Sequence, residues 1–259
     1  MSDTVRLTFD GAVAVVSLNR PERHNAFNDE MDARFFDVLA ELHERPDVRA
    51  VVWRGEGKSF SSGRDTAELG VRAKGESDLE FIAAGHAKTK LLFTMPVPII
   101  AALKGWALGG SFERALLCDL RIAAEDVRMG LPETGHGVIP DSGGMARLFQ
   151  MAGHGVATEL ALTGRIIGAE EAHRHGIVSK VVPLDALDEE ALALAHEIAK
   201  RAPLAVRMAR SIISSLATAE VERSMHEEML GQTIVFGSED YAEGKAARAE
   251  GREPKFRGR

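Results

Sequence analysis

The first fifty residues show two different periodicities of apolar and polar positions. Residues 5–9 alternate between apolar and polar side chains, and an Asp-Gly pair separates them from a second apolar run over 12–18. This arrangement predicts a β-hairpin. From Asn28, a candidate N-cap, to Pro46, apolar residues recur every three or four positions, which predicts an amphipathic helix.

The middle of the chain alternates between short apolar runs and helical patterns. Strand-like runs occupy 50–54, 98–103 and 119–123, and a glycine-rich loop over 55–65 and a polar helical stretch to about residue 94 separate them. From about residue 154 the chain reads as successive helices, with 178–182 as a strand candidate. The pattern predicts an α/β fold with β-α crossovers, a mixed sheet and a helical C-terminal layer.

The charge balance and the apolar runs limit the partners. Hydrophobic residues make up 45% and charged residues 27% of the 259 residues, as in a globular protein, and the formal net charge is -7. An acidic chain argues against nucleic acid as a partner. Pro96 and Pro98 interrupt the longest apolar stretch, so we expect no membrane-spanning segment.

The single cysteine and a pair of histidines indicate the cellular compartment and whether the chain binds a metal. Cys118 is the single cysteine, which excludes an internal disulfide and favours a cytoplasmic protein. His173 and His175 flank one residue and read as a solvated helix end. We therefore expect no metal site.

The stretch GWALGGSFE places two glycines before a helical segment. Gly109 and Gly110 at a helix start expose N–H donors beside the positive end of the helix dipole, a position suited to a developing oxyanion. Glu113 follows three residues after Gly110, on nearly the same face. A second carboxylate, Glu133, follows Pro132. Two glutamates in apolar surroundings suit one general acid and one general base.

Several motifs in a fixed order resemble the enoyl-CoA hydratase/isomerase (crotonase) superfamily. They are LNRPERHNAF (18–27), FSSGRD (60–65), GWALGGSFE (105–113), LPETGHGVIPDSGG (131–144), LTGRIIGAEEAHRHGIVSKVVP (162–183) and SEDYAEGKAARAEGREPKF (238–256). The resemblance implies a core domain over 1–195 built as a spiral of β-β-α repeats. It also implies a helical trimerisation region over 196–259, a homotrimer or homohexamer, and no cofactor beyond the CoA of an acyl-CoA substrate.

The resemblance also implies an active site. Backbone N–H groups of Ser62 and Gly110 would hold the thioester oxygen. Glu113 would activate and position water, and Glu133 would exchange the proton at the α carbon. Since both glutamates are present, the resemblance favours reversible hydration of a trans-2-enoyl-CoA over isomerisation.

Further residues are implied for CoA and substrate. Arg23 would contact a phosphate, since an arginine can bind phosphate oxygens with two hydrogen bonds. The others implied for CoA or substrate are Ala26, Ser61, Gly63, Arg64, Asp65, Trp106, Gly109, Pro132 and Asp141. Near the C-terminus, Arg252 is the candidate for a basic contact to CoA that the family commonly makes.

Other functions stay open at this stage. GSFE followed by PDSGG resembles the carnitinyl-CoA dehydratase branch, and enoyl-CoA isomerases share the fold. Asp141 and His86 are the residues that a dehalogenase would use. A family member without catalysis, binding a CoA thioester or RNA, is the alternative of another class.

Overall fold

A computed structural model describes residues 3–68, 71 and 74–259, and the strands there form two sheets. The strands are β1 (Val5–Asp10), β2 (Val13–Leu18), β3 (Ala50–Gly55), β4 (Ile99–Leu103), β5 (Trp106–Leu108), β6 (Leu120–Ala124), β7 (Arg128–Gly130), β8 (Ile167–Gly168) and β9 (Lys180–Val182). The larger sheet has the order β1-β2-β3-β4-β6-β9, antiparallel between β1 and β2 and parallel elsewhere. A smaller sheet has the order β5-β7-β8.

Helices cover both faces of the larger sheet. They are α1 (Asp29–His43), α2 (Asp78–Thr94), α3 (Gly109–Leu117), α4 (Gly144–Thr163), α5 (Ala169–Arg174), α6 (Leu187–Ala199), α7 (Pro203–Phe236) and α8 (Glu239–Glu250). The mixed α/β class predicted from the sequence is confirmed. Among the described residues, no helix combines the length and the apolar content that a bilayer span requires.

Strand β3 shows why both faces of this sheet are apolar. Val51 and Trp53 point into a core shared with α1 and α3, whereas Ala50 and Val52 point into a second core closed by α6. Successive side chains of a strand face opposite sides, so a parallel strand between two helical layers has no polar face. All six residues of β2 are buried for the same reason.

The predicted elements of the first half of the chain are confirmed, and the second half adds two features. The Asn28 side chain accepts a hydrogen bond from the Met31 N–H and caps α1. Helix α4 begins ten residues before the predicted start and bends at Gly153. Strand β8 has two residues, too few for a periodicity to show in sequence.

Helix α7 connects the C-terminal part of the chain to the sheet layer. It packs against α2 and α4, and its buried Arg210 pairs with Asp119 at 2.9 Å and donates to backbone carbonyls at the end of α2. The predicted domain division between 195 and 196 falls inside α6, and a two-domain organisation stays a prediction.

Candidate active site

A cavity of about 650 Å³ opens between α2, α3, the 131–144 segment and α7. The carboxyls of Glu113, Glu133 and Asp141 are among the groups that line it. Its apolar side is formed by Phe81, Ile82, Val138, Ile139 and Phe236. The cavity thus combines the two glutamates singled out in the sequence with an apolar wall.

Glu113 is held by a ring of backbone donors. Its Oε1 accepts from the Asp141 N–H at 3.1 Å, and its Oε2 accepts from Ser142 at 3.0 Å and Gly144 at 3.1 Å. Gly144 begins α4, so the carboxyl lies at the positive end of that helix dipole. The side chain is 1% exposed, and its position is therefore fixed by the backbone.

Glycines allow this close approach. Gly109 starts α3 with a φ of 56°, and Gly143 precedes α4 with a φ of 81°, both in the left-handed region. A Cβ on Gly144 would lie 2.5 Å from the Cγ of Glu113. The second Gly of the Gly143-Gly144 pair is therefore required by packing and the first by backbone conformation.

Glu133 is the freer of the two carboxyls. It opens a short 3₁₀ helix (Glu133–His136) directly after Pro132, and its Oε2 is buried with no hydrogen-bond partner among the described residues. A Cβ on Gly109 would lie 2.9 Å from its Oε1, so Glu133 lies against the start of α3. The unpartnered oxygen leaves it able to exchange a proton with a bound molecule.

Burial raises the pKa of both glutamates. Loss of hydration raises the pKa of Glu133 to about 8. Burial, followed by the nearby charge of Glu133, raises the pKa of Glu113 well above its usual range. The three N–H donors on Glu113 oppose this effect because they stabilise the carboxylate. The negative charge that the pair shares is therefore best placed on Glu113 and the proton on Glu133.

A third buried carboxyl lies behind the site and was not predicted. Glu228 of α7 is 3% exposed, and burial raises its pKa to about 7. It shares the buried face of α7 with Val221, Met225 and Gln232 at helical spacing. A glutamate on an apolar helical stripe was the available sequence signal.

The structure corrects one of the two predicted oxyanion donors. The Ser62 N–H donates to the His24 carbonyl at 3.0 Å, so it is already engaged, and Ser62 does not line the cavity. Gly110 does line the cavity and is the second residue of α3, where N–H groups have no intrahelical acceptor.

Arg64 offers a second backbone N–H near Gly110. In its parallel bridge with Phe27, the bonds run from the Phe27 N–H to Gly63 and from the Asp65 N–H to Phe27, each at 2.8 Å. The Arg64 N–H therefore points away from Phe27. Since Arg64 lines the cavity, this donor replaces Ser62 as the candidate.

Four of the residues implied for CoA have internal structural roles. Ser61 is fully buried, and its hydroxyl donates to the Asn25 carbonyl at 2.7 Å. Gly63 has a φ of 95° and lies against the Leu108 carbonyl. Ala26 is buried, and Asp65 pairs with Arg20 at 3.1 Å. These residues shape the loop that carries Arg64.

The remaining implied residues divide between surface and site. Arg23 and Trp106 are exposed and available to a ligand. The Arg64 side chain pairs with Asp29, and Arg252 pairs with Glu243 at 2.6 Å, so both side chains already have acidic partners. Of the implied set, the structure brings into the cavity Arg64, Gly110, Glu113, Glu133 and Asp141.

A basic cluster on the cavity wall was also missed. Arg114 pairs with Asp32 at 2.8 Å and lies over the rings of Phe27 and Phe36. Lys88 lies 3.6 Å from the same aspartate. Arg114 follows Glu113 directly in sequence, but its partner comes from α1, so nothing local in the sequence indicated the pair.

Comparison with known proteins identifies the fold and the family. The profile of the enoyl-CoA hydratase/isomerase family matches residues 8–259. The "Probable enoyl-CoA hydratase echA8" of Mycobacterium bovis is 36% identical over 254 residues, 98% of each chain. The carnitinyl-CoA dehydratase of Escherichia coli O157:H7 is 36% identical over 265 residues, covering both chains completely.

Solved structures agree with the sequence comparison. The enoyl-CoA hydratase/isomerase of Pseudoalteromonas atlantica superposes with a TM-score of 0.88 at 29% identity, over 98% of this chain and 100% of that one. A methylmalonyl-CoA decarboxylase superposes with a TM-score of 0.85 at 29% identity over both full chains. The crotonase-like fold expected from the sequence is confirmed, and the chain belongs to the enoyl-CoA hydratase/isomerase family of the crotonase superfamily.

Proposed function

We propose that this chain is an enoyl-CoA hydratase, which adds water reversibly to the double bond of a trans-2-enoyl-CoA thioester. The observation that carries the proposal is the pair of buried carboxyls, Glu113 and Glu133, in one cavity beside the start of α3. A reaction that adds a proton to one carbon and hydroxide to the next needs an acid and a base on one substrate. The family supports an acyl-CoA substrate.

The backbone would stabilise the charge that develops on the thioester oxygen. Gly110 N–H, at the positive end of α3, and Arg64 N–H are the two candidate donors. Such donors act on the enolate more strongly than on the ground-state carbonyl, so they lower the barrier.

The two glutamates then divide the proton transfers. Ionised Glu113 removes a proton from water as the water oxygen bonds to C3. The C2=C3 π electrons move toward the thioester, and the enolate takes a proton from Glu133 at C2. Glu113 ends protonated and Glu133 ionised, and exchange with solvent restores both. We assign the base role to Glu113 because three N–H donors stabilise its carboxylate, and the acid role to Glu133 because its Oε2 has no hydrogen-bond partner among the described residues.

The proposal is tested by the ultraviolet absorbance of the conjugated enoyl thioester. The wild-type protein should decrease the ultraviolet absorbance of crotonyl-CoA. Glu133→Gln should lose at least about 10³-fold in kcat, by analogy with removal of a general acid, and still bind a CoA thioester. Glu30→Gln, an exposed change on α1, serves as control. Full turnover by Glu133→Gln would reject the assigned role. Loss of enoyl absorbance without gain of water in product mass would indicate isomerisation.

A cationic acyl group is favoured by the charge of the cavity. Of the described residues that line it, six are acidic: Asp29, Asp32, Glu76, Glu113, Glu133 and Asp141. In the same described lining, three residues are basic: Arg64, Lys88 and Arg114. The second candidate is therefore dehydration of a 3-hydroxyacyl-CoA with a quaternary ammonium group, as in carnitinyl-CoA. A kcat/KM for crotonobetainyl-CoA above that for crotonyl-CoA would support this candidate, and the reverse order would remove it.

We also propose a homotrimer or homohexamer. Helix α7 exposes a row of apolar side chains at helical spacing, with Leu204 at 70%, Ile212 at 63% and Leu216 at 79% exposure. Such a row is usually covered by another protein surface. Light scattering should give three or six times the 28.0 kDa chain mass, and a monomeric mass would contradict this.

The proposed chemistry uses no metal and no cofactor beyond substrate CoA, and we place the enzyme in the cytoplasm.

A further inference from the structure

Five backbone N–H groups between residues 139 and 144 are divided between two sets of acceptors. Three of them, from Asp141, Ser142 and Gly144, donate to Glu113. The other two donate to side chains of α7: Gly143 to Glu228 Oε2 at 2.8 Å, and Ile139 to Gln232 Oε1 at 2.9 Å. The donors to Glu113 and to Glu228 alternate along the chain at 142, 143 and 144.

This division connects α7 to the Glu113 carboxyl. The Gly143 N–H cannot shift without moving the neighbouring N–H groups that hold Glu113, because all belong to one short segment. The segment is confined on its α7 side, since a Cβ on Gly143 would lie 3.0 Å from both Val221 and Met225. The position of Glu228 therefore sets the position of the donors on Glu113.

Glu228 is itself fixed in place. Its Oε1 accepts a hydrogen bond from the Ser224 hydroxyl, one turn earlier on α7, at 2.7 Å. Both carboxyl oxygens thus have a donor, and the side chain is 3% exposed. It is separate from the cavity lining, so it is placed to act through Glu113 and not on the substrate.

We propose that Glu228 is a positioning residue for the reaction: from α7 it fixes the 141–144 segment and thereby the orientation and charge state of Glu113. This inference rests on the proposed function for its kinetic consequences. Its structural part concerns the Glu113 carboxyl alone.

The charge of Glu228 changes the pKa of Glu113 in a known direction. A negative charge on Glu228 disfavours a second one on Glu113, and this charge raises the pKa of Glu113. The other acidic groups facing Glu228 are Asp141, from the 131–144 segment, and Glu227 on its own helix. Removing the Glu228 charge should therefore lower the pKa of Glu113 and extend its ionised form to lower pH.

Two substitutions of Glu228 distinguish the effect of its hydrogen bond with the Gly143 N–H from the effect of its negative charge. Glu228→Gln can keep an acceptor for the Gly143 N–H and donate its amide to Ser224, while it removes the charge. Glu228→Ala removes both. The matched control is Glu227→Gln, because it removes the same charge from the adjacent residue, whose side chain is 69% exposed.

The first readout is kinetic. With an enoyl-CoA substrate, we expect Glu228→Gln to keep kcat at its optimum within about threefold and to move the acidic limb of the kcat profile down by roughly one pH unit. Glu228→Ala should lower kcat by about 10²-fold with KM changed much less, as expected when the positioning of a reacting group is lost. Glu227→Gln should change neither.

The second readout needs no turnover. Carbon-13 NMR of carboxyl-labelled glutamates in the full-length protein, with Glu113 assigned through Glu113→Gln, should show the Glu113 titration shifted to lower pH in Glu228→Gln and unshifted in Glu227→Gln. An unshifted Glu113 titration in Glu228→Gln overturns the inference whether or not the enzyme hydrates enoyl-CoA. A shifted titration in a chain without hydratase activity would reject the proposed function and keep the inference.

Discussion

Gly144 and Glu113 are in direct contact, backbone against side chain. The Gly144 N–H donates to the Glu113 carboxyl at 3.1 Å, and a Cβ at position 144 would lie 2.5 Å from the Glu113 Cγ. Residue 144 therefore supplies a hydrogen bond and has no room for a side chain. The contact joins the first residue of α4 to the first turns of α3.

Gly144→Ala should consequently displace Glu113. We expect a loss of kcat of about 10²-fold, since misplacing a reacting group by roughly 1 Å has such an effect, and a loss of stability of about 1–3 kcal/mol from overpacking. Gly155→Ala is the matched control, because it lies in the same helix and a Cβ there meets no atom of the described residues within 4 Å. Equal activity of the two variants would contradict the assigned role of the contact.

Two substitutions of Gly110, the second residue of α3, should have different effects. Gly110→Pro removes the N–H proposed to bind the thioester oxygen, and because Gly110 is in the first turn of α3 no intrahelical hydrogen bond is lost. We expect kcat to fall by about 10²–10³-fold with the melting temperature nearly unchanged. Gly110→Ala keeps the donor, and within the described part of the chain its Cβ meets the Ser142 hydroxyl alone, at 4.0 Å, so its kcat should fall by less than about tenfold. A fully active Gly110→Pro would exclude this donor.

The stability of the folded protein should depend on the titration of Glu133. Its pKa is raised from 4.5 to about 8 by burial, so the folded state binds this proton more tightly than the unfolded state. Its contribution is complete below pH 4.5 and is lost as the pH rises to about 8. Glu133→Gln should thus increase the free energy of unfolding at pH 9 by up to about 5 kcal/mol and leave it nearly unchanged at pH 4. Urea titrations at both values check this, and a Glu133→Gln protein less stable than wild type at pH 9 would contradict it.

Arg23 should contribute to CoA affinity without contributing to the chemical step. It is exposed beside the loop that carries Arg64, and the resemblance places a CoA phosphate there. Arg23→Ala should raise KM by about tenfold, the effect of one charged hydrogen bond, and leave kcat unchanged. Arg201→Ala removes an exposed arginine that pairs with Glu197 and does not line the cavity. If both variants show the wild-type KM, the phosphate contact is made elsewhere.

The sequence was most informative where local pattern determines structure. The hairpin after Val5, the Asn28-capped helix and the glycine start of α3 follow from periodicity and backbone preferences, and all are confirmed. The two glutamates were found because Gly109 and Gly110 mark the start of the helix that carries Glu113, and Pro132 fixes the backbone immediately before Glu133. The motifs then identified the family.

Long-range partners could not be predicted from local pattern. The His24 carbonyl accepts a hydrogen bond from the Ser62 N–H through a contact between two loops, so this N–H is not available to a thioester oxygen. Glu228 lies 85 residues after Gly143, the residue that it binds. Such pairs depend on how α7 packs against the core, which no short segment encodes.

The most direct test of the account is hydration in ¹⁸O-labelled water. Wild type given crotonyl-CoA should yield a 3-hydroxyacyl-CoA heavier by one labelled water, with the label at C3. Glu113→Gln and Glu133→Gln should yield none over the same interval while still binding the thioester. An unlabelled product of unchanged mass from wild type, or labelled product from either variant at the wild-type rate, would contradict the claim that these two glutamates add water to an enoyl-CoA.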